Sequence, residues 1–248
     1  MPATFAHPAF AWPLRRWLPR LALTVGAVIP DVAHLLPRRP WTDHTLLSLL
    51  TFSLPLGTVV YLLSAHALLP ELARWAPAPW RAAARAEAES RAPLGRAVLG
   101  VLAGAATHVG LDHWTHVYGA GVAAVPHLRA SVPLLSIPAF KLLQYGLGMA
   151  GSIYLAVVLA RWDAKVRTEP LRWRLLWPYF AVAAVWIALA ALEGHRQSYW
   201  LPMPVRLHDF LVVGAASGMV WVTLSLASFA ALSGLIRRLH ARKQRATL

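Results

Sequence analysis

An all-α, polytopic transmembrane bundle of five to six helices is the fold class this sequence predicts, and three observations predict it. Hydrophobic residues fill 58% of the 248 positions and charged residues only 14%, where a soluble domain keeps roughly 25% charged side chains. Several apolar stretches run past the ~20 residues that a helix needs to cross a bilayer. The basic residues, 21 Arg and 3 Lys, gather in the segments between those stretches.

Five apolar segments are clear, at 46–69, 97–118, 135–160, 175–193 and 209–236. The third contains Pro138 and Lys141, which moves the start of its membrane part toward 142. A sixth segment, 21–36, is short and ends in Pro30-Asp31. Counted between segments, Lys and Arg number three before 21, two at 37–45, five at 70–96, one at 119–134, five at 161–174, two at 194–208 and five after 236. Rich loops alternate with poor ones, the positive-inside pattern, which places both termini in the cytoplasm if 21–36 crosses.

A second arrangement satisfies the same count. Residues 8–18 and 21–30 would make helices of about 16 and 15 Å, each too short for ~30 Å of hydrocarbon. Broken near Pro19, they fit a re-entrant hairpin shielded within a bundle, with Arg15, Arg16 and Arg20 snorkelling at its turn. The hairpin brings His7 and Asp31 out on one side and is expected to put His7 within ligand reach of Asp31 or Asp112.

Residues 1–248 read as one membrane domain, with the candidate site in 1–150 and further transmembrane helices in 151–248. The Ala/Arg-rich stretch Trp80–Arg96 reads as an exposed amphipathic loop helix, and Gly100/Gly104 and Gly214/Gly218 as close-packing contacts between helices. The absence of cysteine excludes disulfides, thiolate zinc sites and cysteine nucleophiles. A net charge of +14 invites a nucleic-acid partner. Its confinement to loops and to the tail Arg237-Arg238, Arg242, Lys243 and Arg245 points to membrane lipids instead. Pro8, Pro13 and Pro19 interrupt any signal-peptide core.

The chemistry concentrates in the second helix, where Thr107-His108-Val109-Gly110-Leu111-Asp112-His113-Trp114-Thr115-His116 carries His108, Asp112 and His116 at i, i+4 and i+8. At about 100° per residue these share a stripe about 80° wide. Neutral imidazoles with an anionic oxygen suit a divalent metal. A hydrogen-bonded polar stripe or a proton path are the other uses of ionisable groups inside a membrane helix. Asp31 and His44 flank the outer Arg38-Arg39 loop and would complete a four-ligand site. Lys141, Gln144 and Tyr145 share a helix start and suit an anionic group or an interfacial anchor, while Glu193, His195, His208 and Asp209 frame the loop 194–208. His66 and His240 have no partner cluster in the sequence.

Six pieces carry a resemblance: Thr4-Phe5-Ala6-His7-Pro8-Ala9, Ile29-Pro30-Asp31, Asp43-His44-Thr45-Leu46, Leu54-Pro55-Leu56-Gly57, the Thr107–His116 run, and Lys141-Leu142-Leu143-Gln144-Tyr145-Gly146. In this order they resemble a bacterial membrane family, domain of unknown function 4184, over roughly residues 1–150. That family is similar to the YdjM-like inner-membrane proteins classed as metal-dependent hydrolases, which implies a multi-pass protein of the bacterial inner membrane. More distantly, the order Asp, His, His-x-x-x-Asp, His is similar to the ligand order of zinc-dependent phospholipase C and its nuclease relatives. The resemblance implies Asp31, His44, His108 and Asp112 around one metal, with His7 and His116 serving neighbouring metals. Those enzymes carry a further His-x-x-x-Glu that this chain lacks after His116, which argues against a full trinuclear site.

The expectation is a membrane-embedded hydrolase with divalent zinc, open to the extracytoplasmic side. Asp112 would be ligand and catalytic carboxylate, and Lys141 would offset the charge of a small-molecule or lipid phosphoester. The alternative is a metal or proton transporter or a structural subunit. Below His108, segment 97–107 offers only Thr107 as a polar step, which speaks against a continuous path.

Overall fold

The structure, a computed structural model, describes residues 6–33, 45–132 and 137–168 and the separate helical positions 181, 184, 185, 188 and 192. In chain order the elements are α1 (His7–Ala11), a tight turn Trp12–Arg16, α2 (Arg20–Val32), the long helical stretch α3 (Leu46–Trp75), α4 (Arg81–Glu89), α5 (Leu94–Thr115), α6 (Ala120–Ala124) and α7 (Ala139–Val166). A two-stranded antiparallel ribbon, β1 (Ser131–Val132) against β2 (Ile137–Pro138), leads into α7.

Three stretches are long and apolar enough to cross a membrane: Leu46–Trp75, Leu94–Ala124 and Ala139–Val166. They cover the segments expected at 46–69, 97–118 and 135–160. The expected segments 175–193 and 209–236 lie outside the described residues, apart from the five separate positions, so the described residues support three spans rather than five or six. The described part of the 21–36 segment is too short to cross alone. Its helix, α2, has 13 residues, about 20 Å at 1.5 Å per residue.

Local chemistry explains the ends and irregularities of these helices. Thr45 and Ser48 form a reciprocal capping box that starts α3, with Thr45 Oγ1 accepting from the Ser48 N–H at 3.2 Å and Ser48 Oγ from the Thr45 N–H at 3.1 Å. Two wider turns follow in α3, Leu49–Ser53 and Ser64–Leu68, where Leu54 and Leu69 donate back to the carbonyls of Leu49 and Ser64. Each precedes a proline, Pro55 and Pro70, whose missing N–H interrupts the regular ladder. The hydroxyls of Thr51 and Thr58 donate to the carbonyls of Leu47 and Leu54, which satisfies them within their own helix.

The contacts divide the chain into two compact units, one drawn from 1–62 and 92–164 and the other from 63–91 and 165–248. In the second, Ala78–Trp80 and α4 occupy the stretch expected to form an amphipathic loop helix. The first unit contains the candidate site and is organised around α5.

Residues 7–32 fold as a helical hairpin against α5. Along α2, Ala22 faces Gly100, Leu23 and Ala27 face Gly104, and Asp31 reaches His108, so α2 runs beside α5 in the same direction. The α1 leg runs the other way: Trp17 accepts from the Arg96 guanidinium at one end, and His7 meets Asp112 at the other. Ala11, Leu23 and Ala27 form the buried seam of this hairpin, flanked by Leu14, Leu18 and Ala103. Leu49 of α3 packs against Ala105 and Val109 of α5. The α7 helix meets α1 at Gly151, where an added Cβ would lie 2.9 Å from the Ala6 Cβ and 3.1 Å from the Phe10 ring.

The glycines make the hairpin possible. A Cβ on Gly26 would overlap the Val101 carbonyl, and one on Gly104 would overlap the Leu23 carbonyl and come within 2.8 Å of the Ala27 nitrogen. Backbone therefore touches backbone, the close approach that small residues permit between membrane helices. Gly104→Ala is expected to push α2 away and destabilise the protein by about 1–3 kcal/mol. Gly110→Ala, one turn from the site but with nothing within 4 Å of its added Cβ, should be neutral or slightly stabilising. Thermal unfolding of both variants in detergent tests this, and equal stability would disprove the tight seam.

Candidate metal centre

Helix α5 buries one face: Ala97, Gly100, Val101, Gly104 and Ala105, then His108, Val109, Asp112 and Thr115. The face is small where α2 must come close and polar in its last two turns. This switch puts two ionisable side chains in the seam between the hairpin and α5.

His108 is fully buried. Its Nδ1 lies 2.7 Å from the Ala27 carbonyl, which can only accept, so Nδ1 carries the proton. Its Nε2 then faces two carboxylates, 3.1 Å from Asp112 Oδ2 and 3.5 Å from Asp31 Oδ1. Both carboxylates are buried, at 7% exposure for Asp31 and 5% for Asp112. A lone pair aimed at two buried anions is stable only with positive charge between them, either a proton on Nε2 or a metal cation.

His7 completes the group. Its ring stacks on His108 with centroids 3.8 Å apart and planes 23° from parallel, and its Nε2 lies 3.8 Å from Asp112 Oδ1. Its Nδ1 is buried with no hydrogen-bond partner among the described residues. The hairpin fold delivers His7 here, whereas a full crossing by 21–36 would have put it at the other end of the bundle.

His7, His108 and Asp112 each offer a ligand atom, and these atoms all lie within 4.8 Å of one another. Ligand atoms around a tetrahedral zinc stand roughly 3–4 Å apart, from bond lengths near 2.0–2.2 Å. Two imidazoles and a carboxylate, with Asp31 next to them, form a group that could hold a divalent ion by donor type and charge. The backbone bond at His108 Nδ1 is also the outer support that ligating histidines usually have.

His116 stands apart from this triad. The helix ends at Thr115, and His116 is its C-cap in extended conformation, φ −122° and ψ 143°, so the i+8 position leaves the helical stripe. Its Nδ1 lies 3.1 Å from Asp112 Oδ1 and 3.2 Å from Thr115 Oγ1, and its Nε2 lies 3.1 Å from the Gln144 amide nitrogen. Lys141 Nζ donates to Gln144 Oε1 at 3.1 Å. Gln144 is buried and Tyr145 is 41% exposed, so the expected grouping of Lys141, Gln144 and Tyr145 splits.

A small, partly open cavity lies beside Asp112. His7, Asp112, Thr115 and Gln144 line it together with Phe10, Leu111 and Leu147. Sequence reasoning missed Thr115, Phe10, Leu111 and Leu147. Only Thr115 carried a signal, as a hydroxyl three residues after Asp112 on the buried face.

His44 lies outside the described residues, as do Glu193, His195, His208, Asp209 and His240 and the pair Gly214/Gly218. His66 is exposed on α3, in the second unit.

Comparison with known proteins yields one family. The description "Domain of unknown function (DUF4184)" matches residues 1–232, well past the first 150 residues that carried the resemblance. No curated protein and no solved structure matches.

Substitutions on either side of the α5 stripe test the ligand face. Asp112→Ala is expected to weaken zinc binding by roughly 100-fold or more, since a ligand should cost at least as much as its outer partners. His113→Ala, about 100° around the helix, should leave it unchanged. Calorimetric titration of the detergent-purified protein reads both, and equal losses would mean that this face does not hold the metal.

Proposed function

This chain belongs to the DUF4184 family, and we propose that it is a membrane-embedded, zinc-dependent hydrolase whose substrate is a phosphoester carrying an apolar tail. The observation that supports it most is His108, fixed by the Ala27 carbonyl on one side and facing two buried carboxylates and a second imidazole on the other. Inside a membrane such a concentration of ionisable groups is costly and marks a functional site.

Orientation follows from charge. Arg15, Arg16, Arg20 and Arg96 lie at the hairpin's turn, and the site lies at the opposite end of α5. Positions 96 and 112 are about 24 Å apart along the helix at 1.5 Å per residue, close to the ~30 Å hydrocarbon thickness. By the positive-inside rule the arginine end is cytoplasmic and the site faces outward in a bacterial inner membrane. The hairpin is then re-entrant, with its N-terminal end on the outer side.

His7, His108 and Asp112 would hold the zinc, and Asp31 stands ready as a fourth donor or as a base. A zinc ion there would supply Lewis acidity toward a water molecule and a scissile oxygen. The remaining work falls to the chain's own side chains. Lys141, tied to the cavity-lining Gln144, contributes a positive charge for an anionic phosphoryl group. Phe10, Leu111 and Leu147 would take the apolar part and keep bulk water from the carboxylates. The mixed polar and apolar lining of the cavity, beside helices apolar enough to span a membrane, is what favours an amphiphile over a soluble ester.

Zinc-loaded protein in nanodiscs should hydrolyse a chromogenic alkyl phosphodiester, with activity lost on chelation and restored by zinc. Asp112→Asn is expected to lower kcat/KM by more than about 100-fold, or about 2.7 kcal/mol of transition-state stabilisation. Lys141→Met should act mainly on KM. Chelation that leaves the rate unchanged would refute the metal-dependent reading, and equal rates for short and long alkyl chains would refute the amphiphile.

A further inference from the structure

The hydrogen-bond roles between α7 and the end of α5 follow from the chemistry of the groups. Lys141 Nζ only donates, and it lies 3.1 Å from Gln144 Oε1. That fixes the orientation of the amide, so its nitrogen, also a pure donor, faces His116 Nε2 at 3.1 Å. His116 Nε2 must accept, which in a neutral imidazole leaves the proton on Nδ1. Nδ1–H in turn donates to Thr115 Oγ1 at 3.2 Å, whose own proton goes to the Leu111 carbonyl, and Nδ1 lies 3.1 Å from Asp112 Oδ1.

We propose that Gln144, held by Lys141, is a positioning residue for the metal centre. It locks His116 in the Nδ1–H form, bonded to Thr115 Oγ1, so that the positive N–H side of the ring sits beside Asp112 Oδ1 and leaves Oδ2 turned toward His108. The inference rests on the zinc reading and deepens it. It makes His116 an outer partner of Asp112 and assigns Gln144 a part other than the anion contact or interfacial anchor its motif suggested.

Three features carry it. The relay links groups 28 residues apart in sequence, from Gln144 to His116, so it is not a local helix bond. Gln144 is 3% exposed and Asp112 5%, so water competes weakly for either. Finally, the other tautomer is penalised: with the proton on Nε2, the ring would face the amide with a second donor and leave an Nδ1 lone pair against the Thr115 oxygen, whose proton already goes to the Leu111 carbonyl. The extended backbone of His116 is what lets its ring turn back over Asp112.

The lock and its consequence are measured separately on the full-length protein in nanodiscs. Nitrogen-15 spectra of histidine-labelled, metal-free protein, with His116 assigned by the loss of its signals in His116→Ala, should show Nδ1 protonated in wild type. Gln144→Met, nearly isosteric but unable to donate, should give a mixture of tautomers. In zinc titrations Gln144→Met should weaken binding by about 10–100-fold, the usual effect of losing an outer-shell partner. On a His116→Ala background it should cost nothing further. Gln144→Glu, which accepts from Nε2–H, should yield a doubly protonated ring that keeps its Nδ1–H beside Asp112, and so should recover most of the affinity. A wild-type His116 protonated on Nε2 overturns the lock. Losses from Gln144→Met and His116→Ala that multiply in the double variant overturn its action through His116. Wild-type protein that takes up no zinc overturns the zinc reading instead, and the tautomer spectrum still judges the lock.

Discussion

The backbone-to-backbone seam between α2 and α5 is the constraint on which the rest of the first unit depends. Gly26 against Val101 and Gly104 against Leu23 and Ala27 leave no room for a Cβ. One turn beyond Gly104, that proximity brings the Ala27 carbonyl within 2.7 Å of His108 Nδ1. The carbonyl decides which nitrogen of His108 carries its proton, and so which nitrogen meets the carboxylates. Two glycines that touch neither Asp31 nor Asp112 therefore set the electrostatics of both. Between membrane helices, where lipid is as apolar as leucine, such packing replaces the hydrophobic drive that would hold a soluble core.

The hairpin shows how a short apolar segment can matter without crossing. The turn at Trp17–Pro19 returns the chain beside α5, and the two legs bring His7 and Asp31 to the same end. The turn itself is basic and aromatic. The Arg16 guanidinium stacks 3.6 Å from the centre of the Trp17 ring, and Arg15 lies 5.4 Å from that of Trp12. Cation–π pairs of this kind suit the interface between headgroups and hydrocarbon, where indole and guanidinium both keep one side wet. Turn chemistry and site chemistry thus separate to opposite ends of one helical hairpin, which is what a fixed orientation in a bilayer requires.

Much of this was legible in the sequence because length and period carry it. The three apolar stretches announce the helices at Leu46–Trp75, Leu94–Ala124 and Ala139–Val166, and the i, i+4 spacing of His108 and Asp112 puts them on one face. Pro19 between two half-length helices marks the fold of the hairpin. What spacing does not carry is the end of a helix. His116 continues the stripe by arithmetic, yet the helix stops at Thr115 and His116 takes an extended conformation, which redirects its ring to Gln144 and Asp112. Nor does periodicity reveal pairings between distant elements. The stacking of His7 on His108 and the reach of Gln144 across to His116 depend on how the hairpin and α7 pack, and only a glycine such as Gly151, packed on Ala6 and Phe10, hints at that contact.

The arrangement of charge at the site follows a single logic. Asp31 and Asp112 are buried within reach of one imidazole nitrogen, and a second imidazole stacks beside it. Burying two carboxylates costs several kcal/mol per ion unless positive charge and hydrogen bonds offset it. One proton on His108 would neutralise one of them. A divalent ion would neutralise both, and one nitrogen of His7 would add a further donor. The Ala27 carbonyl holds His108 by a hydrogen bond from its far side, and His116 stands 3.1 Å from Asp112 Oδ1. The sides that remain converge, with Asp112 Oδ2 and Asp31 Oδ1 both within 3.5 Å of His108 Nε2.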